Sequence, residues 1–479
     1  MLPSCPEDCG ERLRLRDLPV MLQAHAEQLR HELGGPIQLM TFDPGKGPRW
    51  ILGPSTCNRS ITIPSYTPTH TLDRKREILI TDAPTAEGMV LAISSVASLG
   101  RLRDGVHPIV PARTLEQALE RVQIEVGESW PSFSLKGIDW AALCDRHVSQ
   151  VRAAKDPIPV FQGWLAHLGD AHTRLRPTAP QGTLPYRVWL QQDAAILLDV
   201  PPNTPAWRAG ARPGWRLLGV DPRACWTRTA APAYARPLIA GMRLVTGPVG
   251  TERSFQARSP AGSLARWTEP FPETPWGEAL EARLLPSGSG LLKIRRWLPE
   301  PEFEESLDSA LESLRGAKGL IVDLRGNGGG HVWTAHRFRA RFLHTSTHLG
   351  SLRYRIPGGP LAEAEPLRQE PAPRSQRWDG PVRFLTDALT HSASEDALLG
   401  LQGLPWVEVL GEPSGGGSRR ERVLPLLPGW DLLVSTALTY DRQWRCVEAA
   451  GIPVDRLHRP PSHHKAGEDT LLQIADRRW

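Results

Sequence analysis

The sequence predicts an α/β protein, and three stretches carry that prediction. Residues 288–330 run from a strand (GSGLLKIRRW) through an amphipathic helix (PEFEESLDSALESLRGAKG) into GLIVDLRGNGGG, an apolar strand that breaks into a glycine-rich loop. After a proline-rich connection at 356–380, VRFLTD forms another strand and leads into the polar heptapeptide T-H-S-A-S-E-D, Thr390–Asp396. SEDALLGLQGL then reads as a helix and WVEVLGE as the next strand. Strands alternating with helices in this way pack as a layered α/β core.

The elements before this core fall into three groups. Residues 1–110 mix a helical pattern (PVMLQAHAEQLRHEL) with strand-like PIQLMTF and RWILG around the turn DPGKGP, followed by REILIT and GMVLAISSVASL. They predict a small α+β module, and nothing in it suggests chemistry. Residues 111–178 predict a helical cap: TLEQALERVQIEVGESW, DWAALCDRHVSQVRAA and IPVFQGWLAHL place apolar residues at three- and four-residue spacing and end in L-G-D-A-H-T, 168–173. Residues 179–275 predict short strands with one helix. Within them DVPPNTPAWRAGARPGWRLLGVD, 199–221, reads as strand, Pro-Asn turn, short helix closed by Gly210, a second turn at Pro213-Gly214, and strand. Residues 276–462 form the α/β core and 463–479 a C-terminal tail.

Composition narrows the class of protein. With 479 residues the chain has room for two to four domains, and 40% hydrophobic with 23% charged content is that of an ordinary folded chain. A net charge of +5 over this length is too mild to argue for nucleic acid, so none is expected as a partner. The N-terminus, MLPSCPEDCGERLRLRDL, has no apolar core behind a basic start, and no long apolar run occurs, so neither signal peptide nor membrane span is expected. The six cysteines are scattered and only Cys5 and Cys9 lie close, with no second pair to complete a zinc site. Reduced thiols, a cytoplasmic location, and no metal or organic cofactor are the corresponding expectations.

The heptapeptide has two readings. S-A-S-E has the spacing of a capping box, Ser392 as N-cap and Glu395 at the third helical position. A helix N-terminus also suits a nucleophilic serine, because its free amides and positive dipole end favour negative charge. The preceding D-L-R-G-N-G-G-G, 323–330, can be a plain tight turn, or a loop whose amides approach a substrate without Cβ obstruction. It lacks the G-K-[ST] of a phosphate-binding loop, so an oxyanion donor is the better functional use.

Taken together, KGIDWAAL, LGDAHT, the 199–221 segment, KGLIVDLRGNGGG, HSASE, LGEPSGGGS and VEAAGIPVD resemble one family in order and spacing: the C-terminal processing, or tail-specific, peptidases. The resemblance spans roughly residues 112–460 and implies a crotonase/ClpP-like catalytic core with an inserted PDZ-like β domain and a helical cap. It implies Ser392 as nucleophile, with the Ala393 amide and one from Gly329 or Gly330 as the oxyanion hole. In the PDZ signature Trp215 replaces the usual aspartate, and YRVWLQQD stands where a Gly-apolar-Gly carboxylate-binding loop is expected.

One departure decides the implied mechanism. Many members of this family pair the serine with a lysine in a G-E-P-T-x-G-K-G segment; here that segment is GEPSGGGS, and Gly417 holds the lysine position. Arg419 and Arg420 cannot deprotonate to replace it, and no lysine occurs between Lys318 and Lys465. The tricorn-like branch of the family uses Ser-His-Glu instead, and the resemblance to it implies His172 as base and Glu448 as its orienting carboxylate. Asp170 is expected to support the turn carrying His172, and His391 to face elsewhere as a bystander. The function implied is a serine endopeptidase acting on proteins or peptides through an acyl-enzyme. An inactive member acting as a peptide- or ligand-binding module and an esterase using the same triad remain as alternatives, and homo-oligomerisation stays open.

Overall fold

The computed structural model describes residues 111–477 except 192, 300, 357–358, 418–420 and 460–468, together with five short strands that precede them. Those strands, β1 (Arg12–Leu13), β2 (Gln38–Phe42), β3 (Arg49–Gly53), β4 (His70–Asp73) and β5 (Ile78–Thr81), form an antiparallel sheet in the order β1-β2-β3-β5-β4. The three apolar runs of the N-terminal module thus pair as strands β2, β3 and β5. Its two helical patterns, Cys5, Cys9, Arg419, Arg420 and Lys465 lie outside the described residues.

The chain divides into two compact units. The smaller contains α1 (Leu115–Ser129), capped by the Thr114 hydroxyl on Gln117 N–H, and a hairpin of strands Glu421–Leu427 and Trp430–Ser435. Within that unit Arg422 and Glu125, both buried, form an ion pair at 2.6 Å.

The larger unit comprises residues 135–351, 366–419 and 438–479. It opens with helices α2 (Trp140–Ala153), capped by Asp139, and α3 (Ile158–Ala166). An antiparallel five-stranded sheet follows: β6 (Arg187–Leu190), β7 (Ala195–Asp199), β8 (Arg216–Leu218), β9 (Glu252–Arg258) and β10 (Leu264–Pro270), in the order β10-β9-β8-β7-β6. One helix was expected here and three occur: Pro205–Arg208, Pro222–Thr227 and Arg236–Leu244. All three place proline in the first turn, where its missing N–H is not needed, so proline-rich sequence that reads as loop begins helices instead. The longest, α4 (Arg236–Leu244), lies on the edge strand β6 so closely that a Cβ at Gly241 would fall 1.9 Å from the Val188 carbonyl oxygen.

The α/β core is a six-stranded sheet of β11 (Leu280–Leu284), β12 (Gly290–Ile294), β13 (Leu320–Asp323), β14 (Val382–Thr386), β15 (Val407–Gly411) and β16 (Arg456–Leu457), in that spatial order. Only β11 runs antiparallel to its neighbour. Val322, Phe384 and Val409 lie in register across the three central strands, and the side chains of all three are fully buried. They pack with Phe303 and Leu307 of α5 (Glu302–Ser313) and Phe338 of α6 (Val332–Ala340) into the main hydrophobic core. The loops 324–331, 387–392 and 412–417 all leave the carboxyl ends of these adjacent parallel strands. That edge of an α/β sheet is where ligands ordinarily bind.

Candidate active site

The corner between β14 and α7 (Ala393–Leu398) is strained at one residue. Ser392 has φ 56° and ψ −122°, a conformation L-residues rarely adopt, whereas the helix proper starts at Ala393. Two hydrogen bonds stitch this corner to the loop after β13: Thr390 Oγ1 donates to Leu324 O at 2.9 Å and His391 N–H to Asn327 O at 3.0 Å. Glu395 Oε2 accepts the Ser392 N–H at 2.9 Å, so the expected capping interaction of Glu395 is present.

The predicted oxyanion donors separate into two kinds. Asn327 Oδ1 accepts the Gly329 N–H at 3.0 Å, the two-residue turn that asparagine side chains favour. The Gly329 amide is therefore engaged, which leaves Gly330, of the two glycines, as the expected donor. Among the described residues, no acceptor takes the amides of Gly330 or Ala393. Gly329 instead provides close approach: a Cβ there would lie 2.8 Å from Ser392 Cβ and 3.2 Å from Ala393 N.

His172 sits on the turn after α3. Asp170 shapes that turn as expected, its Oδ1 accepting the His172 N–H at 2.9 Å and its Oδ2 the Thr173 hydroxyl at 2.8 Å. The imidazole is buried, and burial, with a smaller push from Arg174, lowers its pKa to about 4 against a partial pull from Asp170. Glu448 lies on the short helix Val447–Ala450, also buried. Its Oε2 accepts Thr439 N–H at 2.8 Å and the Cys446 thiol at 3.3 Å, and burial pushes its pKa up to about 7. No hydrogen bond joins Glu448 to His172, or the Ser392 hydroxyl to either nearby imidazole. Among the described residues, His172 Nδ1 and Glu448 Oε1 are buried without a hydrogen-bond partner, and so is the Thr439 hydroxyl beside Glu448.

The second imidazole belongs to His391, and its placement overturns the expectation that it faces away. Its ring centre is 4.5 Å from that of His172, with the planes tilted by 46°. Both rings occupy the space beside Gly417: a Cβ at that position would lie 2.2 Å from His391 Nε2 and 2.8 Å from His172 Cε1. The position where the resemblance expects lysine is thus bare because imidazoles fill the space next to it.

Glu395 does more than cap a helix. Its Oε1 accepts the Ser414 hydroxyl at 2.6 Å and the Gly416 N–H at 2.8 Å, while Oε2 accepts Gly417 N–H at 3.0 Å besides Ser392 N–H. Burial raises its pKa to about 7 despite these donors. Lys136 was also missed. It precedes α2, and its Nζ donates to Gly169 O at 2.7 Å and Leu168 O at 3.2 Å, on the turn leading to His172. Burial lowers its pKa, opposed by the charges of Asp170 and Glu448. A polar residue three positions after a serine signals a cap equally well whether or not it reaches further. The glycine run at 415–417 was the one sequence sign that something must lie against that loop. Among the described residues, no cluster of three or more His, Cys, Asp or Glu is arranged to hold a metal, and no helix is long and apolar enough to cross a membrane.

Residues 288–457 match the family model described as Peptidase family S41. Among solved structures, mature CPAF superposes with a TM-score of 0.55 at 13% identity, covering 72% of this chain and 92% of that one. The photosystem II D1 C-terminal processing protease superposes with a TM-score of 0.50 at 16% identity, covering 73% and 94%. At these identities the likeness is one of fold. No curated protein matches.

Proposed function

We propose that the protein, whose residues 288–457 match a peptidase family model, cleaves peptide bonds through an acyl-enzyme on Ser392, using His172 and Glu448. The observation that carries this reading is that His172 Nδ1 and Glu448 Oε1 are both buried without a partner, while the charge of Asp170, on the His172 turn, acts on both groups. Leaving a buried polar atom unpaired costs about 1–3 kcal/mol. A bridging water or a small closure that joins the two relieves both costs and fixes the imidazole tautomer with Nε2 free to accept a proton.

The steps follow from the residues. His172, neutral because burial depresses its pKa, takes the Ser392 proton as the oxygen attacks a substrate carbonyl. The amides of Ala393 and Gly330 are the available donors to the oxyanion. The imidazolium then protonates the leaving amine, and a water activated by His172 releases the acyl group. Ionised Glu448 stabilises the imidazolium in each half. The close seating of α4 on β6 argues against capture of a free C-terminus in the PDZ-like domain, since no added strand fits between them at Gly241.

A fluorophosphonate serine probe tests this reading with wild type, Ser392→Ala and His172→Ala. Labelling of wild type alone is expected. No labelling of wild type would remove both enzyme readings, and labelling that survives Ser392→Ala would place the nucleophile elsewhere. Labelling kept in His172→Ala but lost in Lys136→Met would move the base to a lysine. Hydrolysis of casein against p-nitrophenyl esters then separates peptidase from esterase.

A further inference from the structure

Glu395 stands between every part of this site. Besides the nucleophile amide, it holds the amides of Gly416 and Gly417, and Gly417 is the residue against which both imidazoles pack. The Ser414 hydroxyl that it accepts receives in turn the Ile452 N–H at 2.6 Å, while Ser414 N–H donates to Ile452 O at 3.2 Å. Ile452 follows the short helix bearing Glu448. The Tyr234 hydroxyl closes the far side, donating to Ser414 O at 2.7 Å.

A cap needs none of this. Satisfying the first turn of α7 requires one acceptor for one amide, and a surface glutamate would do that at little cost. Here the carboxylate is 3% exposed and receives four donors from two separate stretches of chain, the serine corner and the 414–417 loop. Burying an ionisable group this deeply is unfavourable unless its hydrogen bonds are all satisfied, and Glu395 meets that condition only with these two stretches in their present register.

The geometry points to Glu395 as a positioning residue: one carboxylate sets the register of Ser392, of the glycine loop that backs His172 and His391, and, through Ser414 and Ile452, of the segment bearing Glu448. It touches no reacting atom and acts through the groups it holds. It also maintains the strained φ of Ser392, because the N–H that Glu395 accepts belongs to that residue. The inference rests on the Ser392 acyl-enzyme reading.

The test measures fluorophosphonate inactivation of the full chain as a function of probe concentration, separating the maximal rate from the half-saturating concentration. Glu395→Gln keeps the size but turns an amide NH2 toward backbone donors. It is expected to lower the maximal rate by roughly 10- to 100-fold, the cost of a misplaced reacting group, with half-saturation changed less than about twofold. Ser414→Ala, which removes one link and leaves the carboxylate, is expected to lose about 3- to 10-fold in the same parameter. A wild-type maximal rate in Glu395→Gln overturns the inference. Should that variant fail to fold, a wild-type maximal rate in Ser414→Ala overturns it instead. A loss appearing only in half-saturation does so as well, because that reports a binding surface. Absence of labelling in wild type would sink the acyl-enzyme reading itself, a separate outcome.

Discussion

His391 Nε2 lies where a side chain at Gly417 would have to start, 2.2 Å from the ideal Cβ position. A Cβ at Gly415 would come within 2.6 Å of His391 Cδ2, and His172 packs against the same ring at 4.5 Å between ring centres. Gly417→Ala should therefore displace one imidazole or the loop, costing about 1–3 kcal/mol in stability and most of the probe labelling.

A double-mutant cycle tests that steric account. With His391→Ala in place the space opens, and Gly417→Ala should then cost less than about 0.5 kcal/mol by urea denaturation. Costs that simply add would show that the glycine answers some other constraint.

Glu448 should reveal itself through pH. Unfolded, its carboxyl releases a proton in the ordinary range, about 4.3, but in the folded protein burial holds the proton to about 7. Between these values the folded state binds more protons, so this group removes stability as pH rises through the window. Glu448→Gln carries no such charge. It should match wild type near pH 4 and exceed it by about 1–3 kcal/mol at pH 8, while losing most labelling. Denaturation at the two pH values measures the difference, and a variant equally weakened at both would contradict a buried charge.

His172 carries the opposite sign. Its folded pKa of about 4 lies below the usual 6.5, so the unfolded chain takes up the proton first as pH falls. Its contribution to stability is complete above about 6.5 and is lost as pH drops toward 4. The ring resonances of His172 should titrate near 4 in the free protein. A midpoint near 6.5 would mean an imidazole far more hydrated than this one.

Local pattern was enough for much of this molecule. GLIVDLRGNGGG and VRFLTD are apolar runs ended by turn residues, and they form β13 and β14 with their loops at the same sheet edge. The serine corner was legible because S-A-S-E encodes a helix start within four residues. The pairing of His391 with His172 was not legible, since they are distant in the chain and meet only because α3 and β14 are brought together. Asn327 taking the Gly329 amide was equally hidden, because three consecutive glycines look like three equivalent donors until a side chain claims one. Glu395 was read as far as its nearest amide, and its other three donors come from a loop about twenty residues later.

Arg187 offers a last test, of how the five-stranded domain bears on the serine corner. It lies on edge strand β6, and its Nη2 meets Asp387 Oδ2 at 2.5 Å. Asp387 is almost fully buried, and its Oδ1 accepts the amides of Gly326, Leu389 and Thr390, the turns that precede Asn327 and His391. Removing the guanidinium leaves that carboxylate buried with amide donors and no cation. Breaking a buried pair from one side ordinarily costs 3–5 kcal/mol; with Arg187 about a fifth exposed, roughly 1–3 kcal/mol is expected for Arg187→Met. Asp387→Asn in the same chain removes the stranded charge, so the double variant should regain part of the loss, a coupling of about 1 kcal/mol or more. Arg216→Met serves as the control, because the Arg216 side chain is exposed and, among the described residues, bonds the Asp193 carbonyl; it should stay within about 0.5 kcal/mol of wild type. If Arg187→Met behaves like that control, the pair contributes nothing to holding the corner, and the turns around Asp387 are fixed by their own amides alone.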